Sequence, residues 1–223
     1  MAIHYSTSAG EAKKTVAAIE RLGRRAIALG ADLSDENACR GLIERVAAAL
    51  SPPTCLINNA ALFDQDDAST IAYATLEAHM RINLAAPLVL AQAMHRALTA
   101  RQRGVVINLL DQKLFNPNPD YLSYTLSKAA LQCATTLLAQ AFAPKLRVVG
   151  IAPGITLPSG KQRRKDFDRA HAMTPLGRSS TANDIAAAVC FAVESPAITG
   201  TTLLVDGGQH LVPTERDIMF VTR

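Results

Sequence analysis

The chain of 223 residues predicts a doubly wound parallel α/β sheet, and three observations carry that expectation. Short, nearly continuous apolar runs alternate with longer segments whose apolar residues recur at helical spacing. The runs lack the apolar/polar alternation of strands wetted on one face, so both faces of the sheet should be covered. Polar residues stand directly after several runs, and in such sheets ligands bind outside the carboxyl ends of the strands.

Six runs read as strands: AIHY (2–5), RAIALGAD (25–32), TCLIN (54–58), GVVINLL (104–110), LRVVGIA (146–152) and TTLLVD (201–206). Between them, residues 10–22, 35–50, 70–100, 121–142 and 182–193 read as helices, rich in Ala, Leu, Lys and Gln. A crossover helix between parallel neighbours explains the alternation. Ser51-Pro-Pro53 and Asn116-Pro-Asn-Pro119 read as loops, while residues 155–180 carry no readable period. Without repeat, low-complexity tract or linker, residues 1–223 are expected to form one domain.

With 49% hydrophobic and 19% charged residues the chain can bury a large core. The net charge of +4 comes from scattered Lys and Arg, so no basic stripe of a nucleic-acid binder is expected. The one local run, Lys161-Gln-Arg-Arg-Lys165, reads as a solvated loop near an anionic ligand. Cys39, Cys55, Cys133 and Cys190 form no C-x-x-C pair and sit mostly in apolar stretches, which points to a reducing, cytoplasmic compartment and no metal site. No apolar run reaches the length of a membrane span.

Polar residues follow the strands at Asp32, Asn58, Asn59, Asp111, Pro153 and Gly154. Tyr124 and Lys128, four apart, share one face of the helix predicted from residue 121. A phenol is a poor acid or base at neutral pH, and an ammonium beside it should favour the phenolate and bring its pKa down. Asp111 stands thirteen residues before Tyr124, directly after an apolar run.

NNAA (58–61), Asn83 in RINLAAP, YTLSK (124–128), APG (152–154) and VDGG (205–208) together resemble the ordered motifs of the short-chain dehydrogenase/reductase family, over nearly the whole chain. The resemblance implies a small-molecule substrate, Tyr124 as proton donor, Lys128 tuning it and holding the nicotinamide ribose, and Asn83 organising a proton relay. It places Asn59, Ala60, Pro153 and Gly154 along the cofactor.

Most of the family carry a serine where this chain has Asp111, and an acid there is a feature of the pteridine reductase branch. Reducing a ring C=N bond needs a proton at nitrogen as hydride reaches carbon, and a carboxyl group can bond both that nitrogen and the tyrosine. Phe63 matches the branch's phenylalanine that stacks on the pterin. A pterin or folate is therefore the expected substrate. The alternatives are a carbonyl reductase of the same family, or an inactive scaffold, with Asp111 either a drifted serine or a loop acid capping the nearby Lys113.

HYSTS (4–8) offers no acid for a ribose 2′-OH, and its hydroxyls suit a 2′-phosphate, favouring NADPH over NAD. His4, Ser6, Thr7 and Ser8 resemble the branch's phosphate-binding segment, with Thr7 in place of its arginine and Lys13 or Lys14 as candidate substitutes. Asp32 and Leu33 resemble the adenine-contacting pair, though Asp32 could equally cap the helix entered at Glu36. The family's opening strand and glycine-rich turn have no counterpart here, so the sheet is expected to be incomplete, with two edges unpaired. Apolar surplus on helices 85–100 and 121–142, at Leu131, Leu137, Leu138 and Phe142, implies with the resemblance a dimer or tetramer.

Overall fold

The computed structural model describes residues 1–158 and 162–221. In chain order these form β1 (Ala2–Tyr5), α1 (Ala9–Arg21), β2 (Ile27–Gly30), α2 (Glu36–Ala49), β3 (Cys55–Asn58) and α3 (Tyr73–Met80). A π-helical turn (Arg81–Ala85) leads into α4 (Ala86–Ala97), then β4 (Gly104–Leu109), a 3-10 turn (Gln112–Phe115), α5 (Leu122–Phe142) and β5 (Leu146–Pro153). The remainder is α6 (Arg164–Ala172), α7 (Ala182–Glu194), β6 (Thr202–Val205), a 3-10 turn (Gln209–Leu211) and α8 (Ile218–Val221).

Every strand pairing is parallel, and helices cover both faces, as a doubly wound Rossmann-like sheet requires. Side chains alternate across the pleat: Val106 and Val148 pack on Ala91 and Met94 of α4 and Ala139 of α5. Val105, Ile107, Val149 and Ile151 face the other way, onto Ala192 of α7. In β4 and β5 the apolar run is continuous because each of its two faces meets a helix.

The strands divide into a pair, β1-β2, and a set of four, β3-β4-β5-β6. Among the described residues no strand joins the two, which meets the expectation of unpaired edges. Cys55 is exposed and Ile57 48% exposed on β3, unusual for a parallel strand and consistent with an uncovered face. Helices α2 and α4 bridge the break on the opposite face, where Leu42, Ile43 and Leu90 gather Leu29 and Leu33 from one side and Leu56 from the other.

Several sequence expectations need correction. The helix predicted over 70–100 begins at Tyr73, is interrupted by the π turn and ends at Ala97. Pro87 has no N–H to return to residue 83, and the ladder shifts so that the Ala86 N–H donates to the Arg81 carbonyl. Asp32 is not the cap of α2: Asp35 accepts from Asn37 and Ala38, while Asp32 bends the chain onto Ser34. The basic run is not all loop, since Arg164 and Lys165 open α6, a helix within the stretch that carried no readable period. Lys161 lies outside the described residues. The strands predicted as 25–32 and 201–206 are shorter, at 27–30 and 202–205.

Candidate functional site

The site gathers where β4 ends and α5 begins. Asp111 follows β4 in extended conformation; its Oδ1 accepts from the Lys113 N–H at 2.8 Å and caps the 3-10 turn. Its other oxygen, Oδ2, accepts from the Tyr124 hydroxyl at 2.9 Å. The capping reading and the phenol-partner reading of Asp111 therefore hold together, one on each oxygen. Tyr124 is 8% exposed and Lys128 3% exposed.

The N-terminus of α5 is held from a distance. Asp66, in the loop after β3, accepts from the Ser123 N–H at 3.0 Å and from the Ser123 hydroxyl, setting a carboxylate at the positive end of the helix that carries Tyr124. Sequence reasoning missed Asp66, because a cap supplied 57 residues away leaves no local signature.

Burial is the largest influence on the charges here. It pushes the Asp111 carboxyl up, opposed by the Lys113 N–H, the Tyr124 hydroxyl and the Lys128 ammonium. It holds Lys128 down to about 8, with Asp111 pulling the other way. Tyr124 is raised well above the usual phenol range, first by burial and then by Asp111. This corrects the expectation that Lys128 brings the phenol down. The Lys128 Nζ donates to the Leu109 carbonyl at 2.7 Å and lies 5.8 Å from the centre of the Tyr124 ring, so it is a positioned but desolvated cation. The pair is thus a phenol donating to a carboxyl group whose affinity for protons burial raises.

Asn83, in the π turn, is 1% exposed and fully committed. Its Oδ1 accepts from the Leu62 N–H at 2.7 Å, and its Nδ2 donates to the Leu62 carbonyl and to Ser127 Oγ at 2.9 Å. Its side chain ties the loop after β3 to α5 rather than reaching Lys128. Asn58 is likewise internal, donating to Asn108 Oδ1 at 2.8 Å, while Asn108 donates to Thr135 at 2.9 Å. Phe63 packs edge-on to Tyr124, ring centres 4.7 Å apart, and stacks on Tyr121 at 4.2 Å.

A cavity of about 440 Å³ opens beside the break in the sheet, lined by His4, Ser6, Thr7, Ser8, Asp32, Leu33 and Ala60. These seven expected cofactor residues converge there; Asn59, Pro153, Gly154 and Lys128 are not in its lining. Tyr5, Glu11 and Thr15 also line it and were not anticipated. Lys13 and Lys14 do not line it, and Lys14 instead pairs with Glu11 at 2.7 Å on the exposed surface. A side chain on Gly154 would meet Ser179 Oγ at 2.4 Å, so that glycine is required by close packing of the loop ends. Asp206 of VDGG is buried and accepts from the Gly208 and His210 N–H groups, a structural role. Among the described residues no cluster of His, Cys, Asp and Glu could hold a metal, and no helix is long and apolar enough to cross a membrane.

A parallel sheet with helices on both faces, and a Tyr-x-x-x-Lys pair on the helix after β4, define a nucleotide-dependent oxidoreductase fold. A family model described as enoyl-(acyl carrier protein) reductase matches residues 1–210. The chain belongs to the short-chain dehydrogenase/reductase family of oxidoreductases. It is 40% identical to the FolM alternative dihydrofolate reductase 1 of Brucella canis, solved with NADP, with a TM-score of 0.91 over 97% of this chain and 86% of that one. It is 30% identical to the 2-dehydro-3-deoxy-D-gluconate 5-dehydrogenase of Dickeya dadantii, over 89% of this chain and 81% of that protein. Similarity to the 3beta-hydroxysteroid dehydrogenase 1 of Eggerthella lenta is 29% identity over 94% and 84%.

Proposed function

We propose that this chain is an NADPH-dependent reductase of pterin or folate ring C=N bonds, one cytoplasmic domain over residues 1–223. The observation that carries the reading is the 2.9 Å hydrogen bond from Tyr124 to Asp111, with the ring of Phe63 against the phenol. The similarity to a FolM structure at 40% supports it over the sugar and steroid dehydrogenases near 30%. NADPH, when bound, supplies the hydride. Tyr124 gives its proton to the ring nitrogen, and the raised affinity of Asp111 for protons lets that carboxyl resupply the phenol through the existing hydrogen bond. Lys128 places a positive charge beside the phenolate that forms, which a carbonyl at Leu109 holds in place. Asn83 and Asp66 keep the loop after β3 and the start of α5 in register.

The cavity residues suit the adenosine end of the cofactor. The hydroxyls of Ser6, Thr7 and Ser8 stand at the entry to α1, whose cap residue Ser8 makes no side-chain cap bond, an arrangement that favours a 2′-phosphate. Glu11 opposes an anion there, and its pairing with Lys14 offsets that charge. The pyrophosphate finds no glycine-spaced turn in this sequence. A ligand at a hundredfold excess over its Kd adds roughly 3 kcal/mol to stability, on the order of 6–12 °C in Tm for a chain of this size. Millimolar NADPH is therefore expected to raise the Tm of this chain by less than about 3 °C. A rise in the full range, read by calorimetry, shows that other amides hold the pyrophosphate.

The direct test is NADPH oxidation stimulated by dihydrobiopterin or dihydrofolate, beside a panel of aliphatic ketones. Turnover confined to ketones returns the carbonyl reductase reading, and none with either class returns the scaffold.

The expected self-association narrows to fewer residues. Leu131 is buried, and Leu138 and Phe142 pack into the core beside α4. Leu137 remains 57% exposed, and Leu126, Ala129 and Cys133 continue its strip along α5 at helical spacing. We expect a dimer or tetramer through this strip; Leu137→Glu should lower the mass seen by light scattering at micromolar concentration, and a monomeric wild type contradicts it.

A further inference from the structure

The C-terminal segment returns to the site and is fastened there by charges the proposed reaction does not use. Asp120, 8% exposed at its side chain, takes a forked contact from Arg216, with Nη2 to Oδ1 at 2.7 Å and Nε to Oδ2 at 2.8 Å, and accepts from the Asp217 N–H at 2.7 Å. Lys113, 3% exposed, donates to the Asp120 carbonyl and reaches Asp217 Oδ2 at 3.3 Å. Two fasteners thus hold residues 216 and 217 against the segment that lies between Asp111 and Tyr124.

Beyond the fasteners, Phe220 stacks on Tyr121 with ring centres 6.0 Å apart, and the Tyr121 hydroxyl points at the Met219 sulfur at 3.7 Å. Tyr121 also stacks on Phe63 at 4.2 Å, and Phe63 touches Tyr124. Tyr121 is also the described non-glycine residue with a left-handed backbone, φ 54 and ψ 51. For a tyrosine that conformation is strained and persists only where the surroundings impose it. Here it turns the ring, 6% exposed, into the stack with Phe63 beside Tyr124.

We propose that residues 216–220 are a specificity-determining strap: fastened by Asp120–Arg216 and Lys113–Asp217, they brace the buried Tyr121 ring, which backs Phe63 as an aromatic ledge beside the Asp111–Tyr124 pair that takes a flat heteroaromatic ring. The substrate class rests on the function proposed above. Arg216 and Asp120 are positioning residues, acting through Phe220 and Tyr121 rather than on the reacting atoms. The strap makes ring recognition depend on a segment about a hundred residues from the pair in sequence.

The test uses the full chain with oxidised biopterin as a redox-inert probe, its Kd read by titration calorimetry in the presence of NADP. Phe220→Ala and Arg216→Ala are each expected to weaken biopterin roughly tenfold, with Arg216→Lys recovering part of the loss and the Kd for NADP unchanged in all three. Biopterin affinity equal to wild type in both alanine variants, or lost only in step with NADP affinity, overturns the strap while leaving the reductase reading intact. Biopterin binding weakened in both alanine variants, when the wild type binds biopterin but turns over no pterin, supports the strap and defeats the reductase reading. A wild type that binds no biopterin overturns both.

Discussion

Tyr124→Phe is expected to lower pterin reduction by roughly a hundredfold or more, the usual contribution of a positioned proton donor. Phenylalanine retains the edge contact with Phe63 at 4.7 Å and the buried ring, so the fold and the substrate ledge should survive. It removes only the hydroxyl that donates to Asp111 Oδ2 at 2.9 Å. Asp111 then has no hydroxyl beside it through which a proton can reach the ring nitrogen. The measurement is kcat with saturating dihydropterin and NADPH, beside biopterin binding by calorimetry. Loss of kcat with intact binding is the expected pattern, and a variant that turns over as fast as wild type removes Tyr124 from the chemistry.

Asp111→Asn is expected to cut pterin reduction by about tenfold to a hundredfold and at the same time to raise the melting temperature at neutral pH. The amide keeps the bond from the Lys113 N–H and can still meet the Tyr124 oxygen, but it has no proton to pass on. Stability moves the other way because burial raises the carboxyl above its usual pKa of 3.8. An acid with a raised folded pKa binds protons more tightly folded than unfolded, so its contribution to stability is present at low pH and is lost as pH rises through the folded value. At neutral pH the wild type bears the burial of that charge and the amide does not. The gain in Tm should therefore shrink as pH falls toward 4, and a gain independent of pH would place its origin elsewhere. Asp111→Ser, which restores the hydroxyl common in the family, should likewise depress pterin reduction while sparing ketones.

Turnover in the wild type should also fall above about pH 8, where Lys128 loses its proton and the positive charge beside the phenolate disappears. Phenolate formation by lysine alone would require that charge to dominate. Around Tyr124, burial and Asp111 dominate instead.

The sequence by itself determined the strands, their parallel sense and the order of the chemical residues. A strand packed on both faces must be apolar throughout, and a tyrosine and lysine four apart must share a helix face, so both are written in local pattern. Asp111 was legible because it sits at a fixed distance from Tyr124 along the chain. Convergence of His4, Ser6, Thr7, Ser8, Asp32, Leu33 and Ala60 on one cavity followed from strand ends meeting at one edge of the sheet. Only the tertiary structure decided what those groups become. Whether Lys128 lowers the Tyr124 phenol depends on desolvation and on the Asp111 contact, neither of which spacing records. The cap that Asp66 gives to α5 and the strap that Arg216 and Asp217 fasten on Asp120 and Lys113 join residues 57 and about a hundred positions apart. Such contacts leave no period in the chain, because the energy that selects them arises only when distant segments share a low-dielectric space.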